Sequence, residues 1–231
     1  MNLSNRLKAI ISFVPRNSMV VDIGTDHGYI PVYLTKNNIS KLAIASDISS
    51  KSLEKTIDYI KKEDLTDYII PRMGDGLAII KPYEVDTAII AGMGGILIRD
   101  ILERDKEITD SITSFILQPM SASKELRKYL IKNGFKIVDE ELVKEGRRFY
   151  EIIYAQKCLD FVEKTIYYEI SKKLIEKQDP LLQEFIISKI NKLENIIEEL
   201  KNTGNEESIE KGRQFERKII EYKEVLDSIE S

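Results

Sequence analysis

Cysteine and histidine occur once each in the 231 residues, as Cys158 and His27. A lone cysteine excludes an intrachain disulfide and fits a reducing cytoplasm. One Cys and one His also argue against a dedicated zinc site, so no metal is expected. Long apolar runs are missing too: nothing approaches the roughly 20 residues that span a bilayer. Residues 1–8 lack the basic, apolar and small-residue succession of a signal peptide. The expectation is a cytoplasmic protein with no membrane partner. A basic excess is absent as well. The net charge is −4, with 12 Lys and Arg against 17 Asp and Glu in residues 158–231, and 23 against 22 in residues 1–157. Nucleic-acid-binding domains are usually strongly basic, so any such contact here must come from local patches.

What is present is an ordinary globular composition, 42% apolar, long enough for one full α/β domain and a small second module. Residues 3–14 have helical apolar spacing, stopped by Pro15. Strands are expected at residues 19–23, 42–47, 68–70, 85–91 and 112–117. The intervening helices are expected at residues 29–36, 49–62, 96–103 and 124–133, with Gly134 as a C-cap. Residues 135–143 and 148–155 read as two strands joined by a tight turn at Glu145-Gly146-Arg147. Alternating strands and helices imply a parallel sheet, and the closing hairpin implies an antiparallel edge.

The strand pattern stops near residue 159. Leu159, Val162, Ile166, Ile170 and Leu174 follow helical spacing. Ile186, Ile190, Leu193, Ile197 and Leu200 then step by four and three, as do Phe215, Ile219, Tyr222, Leu226 and Ile229 after a break at Asn202-Thr203-Gly204-Asn205. Two short seams joined by a polar turn favour an antiparallel helical hairpin. The expected domains are residues 1–157 and 158–231.

The chemistry lies in the loops. Asp22, Asp47 and Asp75 each follow an apolar strand, in the order a nucleoside ligand needs. Gly24 and Gly28 admit close approach of backbone, Asp47 can accept both ribose hydroxyls, and Asp75 can accept from an exocyclic amine. Each of these acids alone is also a common turn or cap former. The first loop runs Gly24-Thr25-Asp26-His27-Gly28 and lacks the middle glycine of Gly-x-Gly-x-x-Gly, while Asp26 would repel a pyrophosphate. No Gly-x-x-x-x-Gly-Lys-Ser/Thr is present either. S-adenosylmethionine, a sulfonium without phosphate, fits such an acidic loop better.

Seven blocks carry a family resemblance: Leu3-Ser4-Asn5-Arg6-Leu7, residues 22–29, Ala45-Ser46-Asp47, Gly74-Asp75-Gly76-Leu77, residues 91–95, Leu117-Gln118-Pro119 and Tyr150-Glu151-Ile152-Ile153. On these the chain resembles the bacterial tRNA (adenine-22, N1)-methyltransferase family. Met120 departs from the Asn expected after Gln-Pro. The resemblance implies a Rossmann-like class I methyltransferase domain, with a mostly parallel seven-stranded sheet and an antiparallel C-terminal hairpin, followed by an α-helical antiparallel coiled-coil domain. It implies methyl transfer from S-adenosyl-L-methionine to N1 of adenosine 22, with tRNA as partner. The oligomeric state stays open, and a monomer is compatible with the sequence.

The residues expected to bind the cofactor are Asp22, Gly24, Thr25, His27, Asp47, Ile48, Asp75, Gly76, Leu77, Ala91, Gly92 and Met93. Asp26, His27 and Tyr29 are the catalytic candidates. His27 could donate to the base or to Asp26, or be structural; Tyr29 could stack on the base or pack the helix start. Arg6, Gly94, Gly95, Gln118, Pro119, Lys124, Arg127 and Arg147 are the candidates for substrate contact. In the acidic C-terminal region, Lys172, Lys173, Lys189 and Lys192 could grip RNA, or the region could act sterically. Rival readings are a methyltransferase of the same fold acting on a small molecule or protein, and a non-catalytic cofactor-binding protein.

Overall fold

The computed structural model describes residues 3–203 and 205–230. Its first compact unit ends at Val162 and its second begins at Glu163.

Seven strands form one sheet: β1 (Ser18–Ile23), β2 (Ser40–Asp47), β3 (Ile69–Met73), β4 (Thr87–Met93), β5 (Ser114–Pro119), β6 (Phe135–Glu145) and β7 (Arg148–Lys157), in the order β3-β2-β1-β4-β5-β7-β6. The first five are parallel, and β7 is antiparallel to both of its neighbours. The chain direction across the sheet reverses between the adjoining strands β1 and β4. Ligands of open α/β sheets enter the crevice at the carboxyl ends of such a pair.

Six helices connect and cover these strands: α1 (Asn5–Ser12), α2 (Tyr29–Lys36), α3 (Ser50–Lys62), α4 (Gly95–Arg104), α5 (Lys106–Ser111) and α6 (Ser123–Lys132). Strand alternation decides which face each side chain serves. Val20, Ile89, Ile116 and Ile152 pack with Ile10 of α1 and Ile30 and Leu34 of α2. Their neighbours Val21, Ala88, Phe115 and Ile153 pack on the opposite face, with Ile98 and Leu102 of α4 and Leu126 and Leu130 of α6. Both faces of the central strands are therefore dry, which is why their sequences are continuous apolar runs rather than alternating ones.

Side-chain caps set two helix starts that matter for the site. The Ser4 hydroxyl accepts from Leu7 N at the start of α1 (3.4 Å), and the Ser49 hydroxyl accepts from Ser52 N at the start of α3 (3.3 Å). The third strand runs to Met73, past the expected residue 70, because Pro71 and Arg72 stay in register with Ala45 and Ser46. Proline is admitted there because β3 is the sheet edge. The short, polar α5 has no sequence periodicity to announce it.

The apolar spacing from residue 159 to 174, which crosses from the first unit into the second, does not produce one helix. A 3₁₀ turn covers Thr165–Tyr168, and a short helix α7 covers Lys172–Glu176. The Ser171 hydroxyl accepts from Lys173 N (3.1 Å) and starts α7 afresh, while Leu159 and Phe161, at the end of the first unit, remain exposed. Helices α8 (Leu182–Thr203) and α9 (Glu206–Glu230) pack together as a hairpin. Ile186, Ile190 and Ile197 are buried, as are Ile219, Tyr222 and Val225. Of the expected break at residues 202–205, Asn202 and Thr203 instead finish α8 and Asn205 precedes α9, while Gly204 lies outside the described residues. Glu169 is ion-paired to Lys218 at 2.6 Å and accepts from the Tyr222 hydroxyl, which ties the segment before α7 to α9. Among the described residues no helix is long and apolar enough to cross a membrane.

Candidate active site

The loop after β1 is a tight reversal with three left-handed residues in five. Gly24, Asp26 and Gly28 have φ of +73°, +51° and +70°. Both Gly24 N and Thr25 N donate to the Ser46 carbonyl at the end of β2 (2.9 Å each), hooking the loop onto its neighbour. At Gly28 a side chain is excluded twice: by φ, and because a Cβ would meet Thr56 Cγ2 at 2.8 Å. The Thr56 hydroxyl in turn donates to the Asp26 carbonyl (3.2 Å), so α3 supports the loop from behind.

Asp47, at the end of β2, shapes this loop directly. Its Oδ2 accepts from Asp26 N (3.3 Å) and its Oδ1 from Ser49 N (2.8 Å). Each carboxylate oxygen keeps a second lone pair for a ligand hydroxyl. Asp22, at the end of β1, is 3% exposed. Burial pushes its carboxyl up to about 6, opposed by the nearby Thr25 hydroxyl and reinforced by the Asp47 charge. A buried acid in that state fits a cationic ligand group, whose arrival would return the proton to water.

A cleft of about 730 Å³ opens over these residues. Asp22, Gly24, Thr25, Asp26, His27 and Tyr29 line one side, and Ala91 and Gly92 at the end of β4 line the floor. Leu3, Ser4, Arg6, Leu7 and Glu145 close it from the N-terminal segment and the β6–β7 hairpin. Arg6 points inward: its Nη1 donates to Gln118 Oε1 (2.7 Å), its guanidinium lies 5.3 Å from the Tyr150 ring, and its backbone N–H donates to Glu145 (2.9 Å). That backbone hydrogen bond holds the Glu145 carboxyl below the usual range. Gln118 is fully buried and donates from Nε2 to the Pro119 carbonyl (3.0 Å) and to Met120 Sδ (3.5 Å). Met120, the departure from the family pattern, is thus bonded to the residue beneath it.

The loops after β4 and β5 are zipped together, with Met120 N donating to the Met93 carbonyl and Gly95 N to the Ser121 carbonyl (2.8 Å each). Gly95 is buried, and a Cβ there would strike the Ala122 carbonyl at 2.5 Å. Its place is in loop packing. Gly94 precedes α4 as its N-cap residue, and Met93 Cε sits 2.5 Å from where a Cβ at Gly24 would be.

At the mouth of the cleft, His27 Nδ1 lies 2.8 Å from Asp26 Oδ2. The His27 and Tyr29 rings are parallel within 3° at 5.4 Å between centroids, and Tyr59 of α3 meets Tyr29 edge-on at 5.9 Å. Asp26, His27 and Tyr29 therefore form one exposed set beside the buried Asp22.

Other expected site residues fall elsewhere. Ile48 is exposed next to Asp47, whereas Leu77 is fully buried in the core, which leaves only its backbone for a ligand. Asp75 stands before Gly76 with Oδ2 bound to Arg104 Nη1 (2.8 Å). Arg127, a candidate for substrate contact, is instead 1% exposed, enclosed with Glu140 and Glu151, and unable to reach a phosphate. Burial alone would pull its guanidinium down, but the two carboxylates hold it above its ordinary value. Its helical neighbour Lys124 is half-buried, and Arg147 is exposed at the hairpin tip. In the sequence Arg127 stands among Lys124, Lys128 and Lys132, and nothing local marks Glu140 and Glu151 as its partners. Thr56 and Arg104 are site neighbours that the sequence did not single out, and Glu145 and Tyr150 are marked there only as a turn residue and as part of a matching block.

The fold and cleft are those of a Rossmann-like methyltransferase: a seven-stranded sheet with one antiparallel strand, and acids at the ends of its first strands. Residues 3–153 match the family described as Methyltransferase domain. A 156-residue stretch is 35% identical to the tRNA (adenine(22)-N(1))-methyltransferase of Bacillus subtilis (strain 168), covering 68% of this chain and 66% of that one. The crystal structure of the B. subtilis m1A22 tRNA methyltransferase TrmK superposes with a TM-score of 0.87 at 28% identity, over 97% of this chain and 99% of that one. M. capricolum TrmK, in complex with S-adenosyl-homocysteine, superposes with a TM-score of 0.85 at 28% identity, over 98% and 99%. The chain belongs to the bacterial tRNA (adenine-22, N1)-methyltransferase family.

Proposed function

We propose that the protein transfers the methyl group of S-adenosyl-L-methionine to N1 of adenosine 22 in tRNA. The observation that carries this reading is the cleft in which buried Asp22 and the Asp26–His27–Tyr29 set meet at the ends of β1 and β4.

The donor supplies an electrophilic methyl carbon on a sulfonium. The protein's share is placement. Asp22 faces the ammonium of the donor, Asp47 takes the ribose hydroxyls beside Ile48, and Asp75 takes the adenine amine. Gly24 and Gly92, both at positive φ, let backbone come close to the ligand. N1 of neutral adenine has a free lone pair and no proton to remove, so the reaction needs alignment more than a general base. The target base has to leave its stack in the tRNA, and the exposed His27–Tyr29 pair gives it an aromatic edge to stack on. The methylated base is cationic, and the Asp26 carboxylate beside His27 favours that charge as it develops. Arg6 and Gln118 brace the floor, while exposed Arg147 at the hairpin tip is placed for phosphate contact and half-buried Lys124 is a second candidate. The helical second unit orients the tRNA, and the enzyme works in the cytoplasm.

The test is to incubate the protein with labelled S-adenosyl-L-methionine and unmodified tRNA and to map nucleosides by mass spectrometry. The expected product is 1-methyladenosine at position 22, lost when that adenosine is replaced by guanosine. Retained cofactor binding without transfer to tRNA overturns the reading.

A further inference from the structure

Arg104, the last residue of α4, is fixed by three hydrogen bonds at the end of β3. Nη1 donates to Asp75 Oδ2 (2.8 Å), and Nη2 donates to the Asp75 carbonyl (3.2 Å) and to Asp105 Oδ2 (3.3 Å). Nη2 lies 2.7 Å from where a Cβ would stand at Gly76, which has φ of +60°, so the glycine makes room for the guanidinium. The other Asp75 oxygen, Oδ1, has no hydrogen bond within the described residues. Both side chains are about half exposed, at 48% and 58%. Exposed ion pairs add little to folding stability, so the arrangement is poorly explained as a fold device. What it does achieve is to hold an otherwise mobile carboxylate in one rotamer, with one oxygen committed and one open.

We infer that Arg104 is a positioning residue for adenine recognition: it pins Asp75 so that Oδ1 accepts from the 6-amino group of the cofactor's purine. The inference rests on reading Asp75 as the acceptor for that amine. A carboxylate fixed before binding loses no rotamer freedom on binding, and an acceptor-only oxygen favours an amino group over a 6-oxo or 6-hydrogen purine. Specificity for the adenosyl group thus depends on a residue that never touches it.

Calorimetry with S-adenosylhomocysteine and with its analogue bearing hydrogen in place of the 6-amino group tests this. The wild type should bind the amino compound about tenfold more tightly, the size of one charge-assisted hydrogen bond. Arg104→Ala should lose most of that preference by weakening the amino compound alone, Arg104→Lys should restore part of it, and KM for S-adenosylmethionine should rise without a matching fall in kcat. Equal weakening of both ligands, or no change in either, overturns the role of Arg104. A wild type that does not distinguish the two ligands, together with an Asp75→Ala variant that binds both normally, shows instead that Asp75 does not meet the amine. Circular dichroism melting of each variant confirms that it is folded.

Discussion

Arg6 Nη1 donates to Gln118 Oε1 across 2.7 Å, joining residues 112 apart at the floor of the cleft. Gln118 is fully buried and its Nε2 is already committed, so Arg6 determines which way the amide faces. Arg6→Ala leaves a buried carbonyl oxygen unpaired, which costs about 1–3 kcal/mol. The expected result is a lower urea midpoint with unchanged m, and a loss in kcat/KM for tRNA larger than the loss in cofactor affinity. Arg6→Lys should recover stability better than activity, because a lysine does not reproduce the planar guanidinium beside Tyr150.

Asp22 sets a pH dependence of known sign. Its carboxyl sits at about 6 in the folded protein against 3.8 in the unfolded chain. Between those values the folded state holds the extra proton, so stability is fully present below pH 3.8 and declines as pH rises towards 6. The loss amounts to about 3 kcal/mol for a shift of this size. Asp22→Asn should remove that slope, visible as denaturation midpoints that no longer fall between pH 4 and 6. Cofactor binding should release a proton near pH 6, read as a buffer-dependent calorimetric enthalpy in the wild type and not in Asp22→Asn.

The two arginines expected on the RNA surface separate cleanly. Arg127 is enclosed between Glu140 and Glu151, and removing it strands two buried carboxylates, a loss of about 3–5 kcal/mol. Arg147 is exposed, and Arg147→Ala should leave stability within about 0.5 kcal/mol. Fluorescence titration of tRNA against salt should show a shallower slope for Arg147→Ala, by about one counterion. For folded Arg127→Met the slope should equal that of the wild type.

The contrast between those residues shows what sequence carries. Apolar runs ending in Asp22 and Asp47 locate the strands and the crevice, because burial on both faces of a parallel sheet leaves a continuous signal in the chain. The stepping of Ile186, Ile190 and Ile197 gives the helical hairpin for the same reason. Partnerships across the sheet leave no such signal. Arg127 with Glu140, Arg6 with Gln118, and Arg104 with Asp75 pair through tertiary folding, and each arginine reads locally as a solvated charge. Leu159 and Leu174 show the converse failure, a helical spacing that Ser171 interrupts with its own cap.

Tyr29 gives the sharpest test of how the base is held. Its ring is 44% exposed at the mouth of the cleft, parallel to His27 and edge-on to Tyr59. If a tRNA base stacks there, Tyr29→Ala removes about 1–3 kcal/mol, seen as a rise in KM for tRNA of roughly 5- to 150-fold. Tyr29→Phe keeps the ring and should stay within about threefold of wild type. Cofactor affinity should not move in either variant, since the ring lies beyond the acids at the strand ends. A Tyr29→Ala enzyme with wild-type KM for tRNA would assign the ring to packing the start of α2 and leave His27 alone at the mouth.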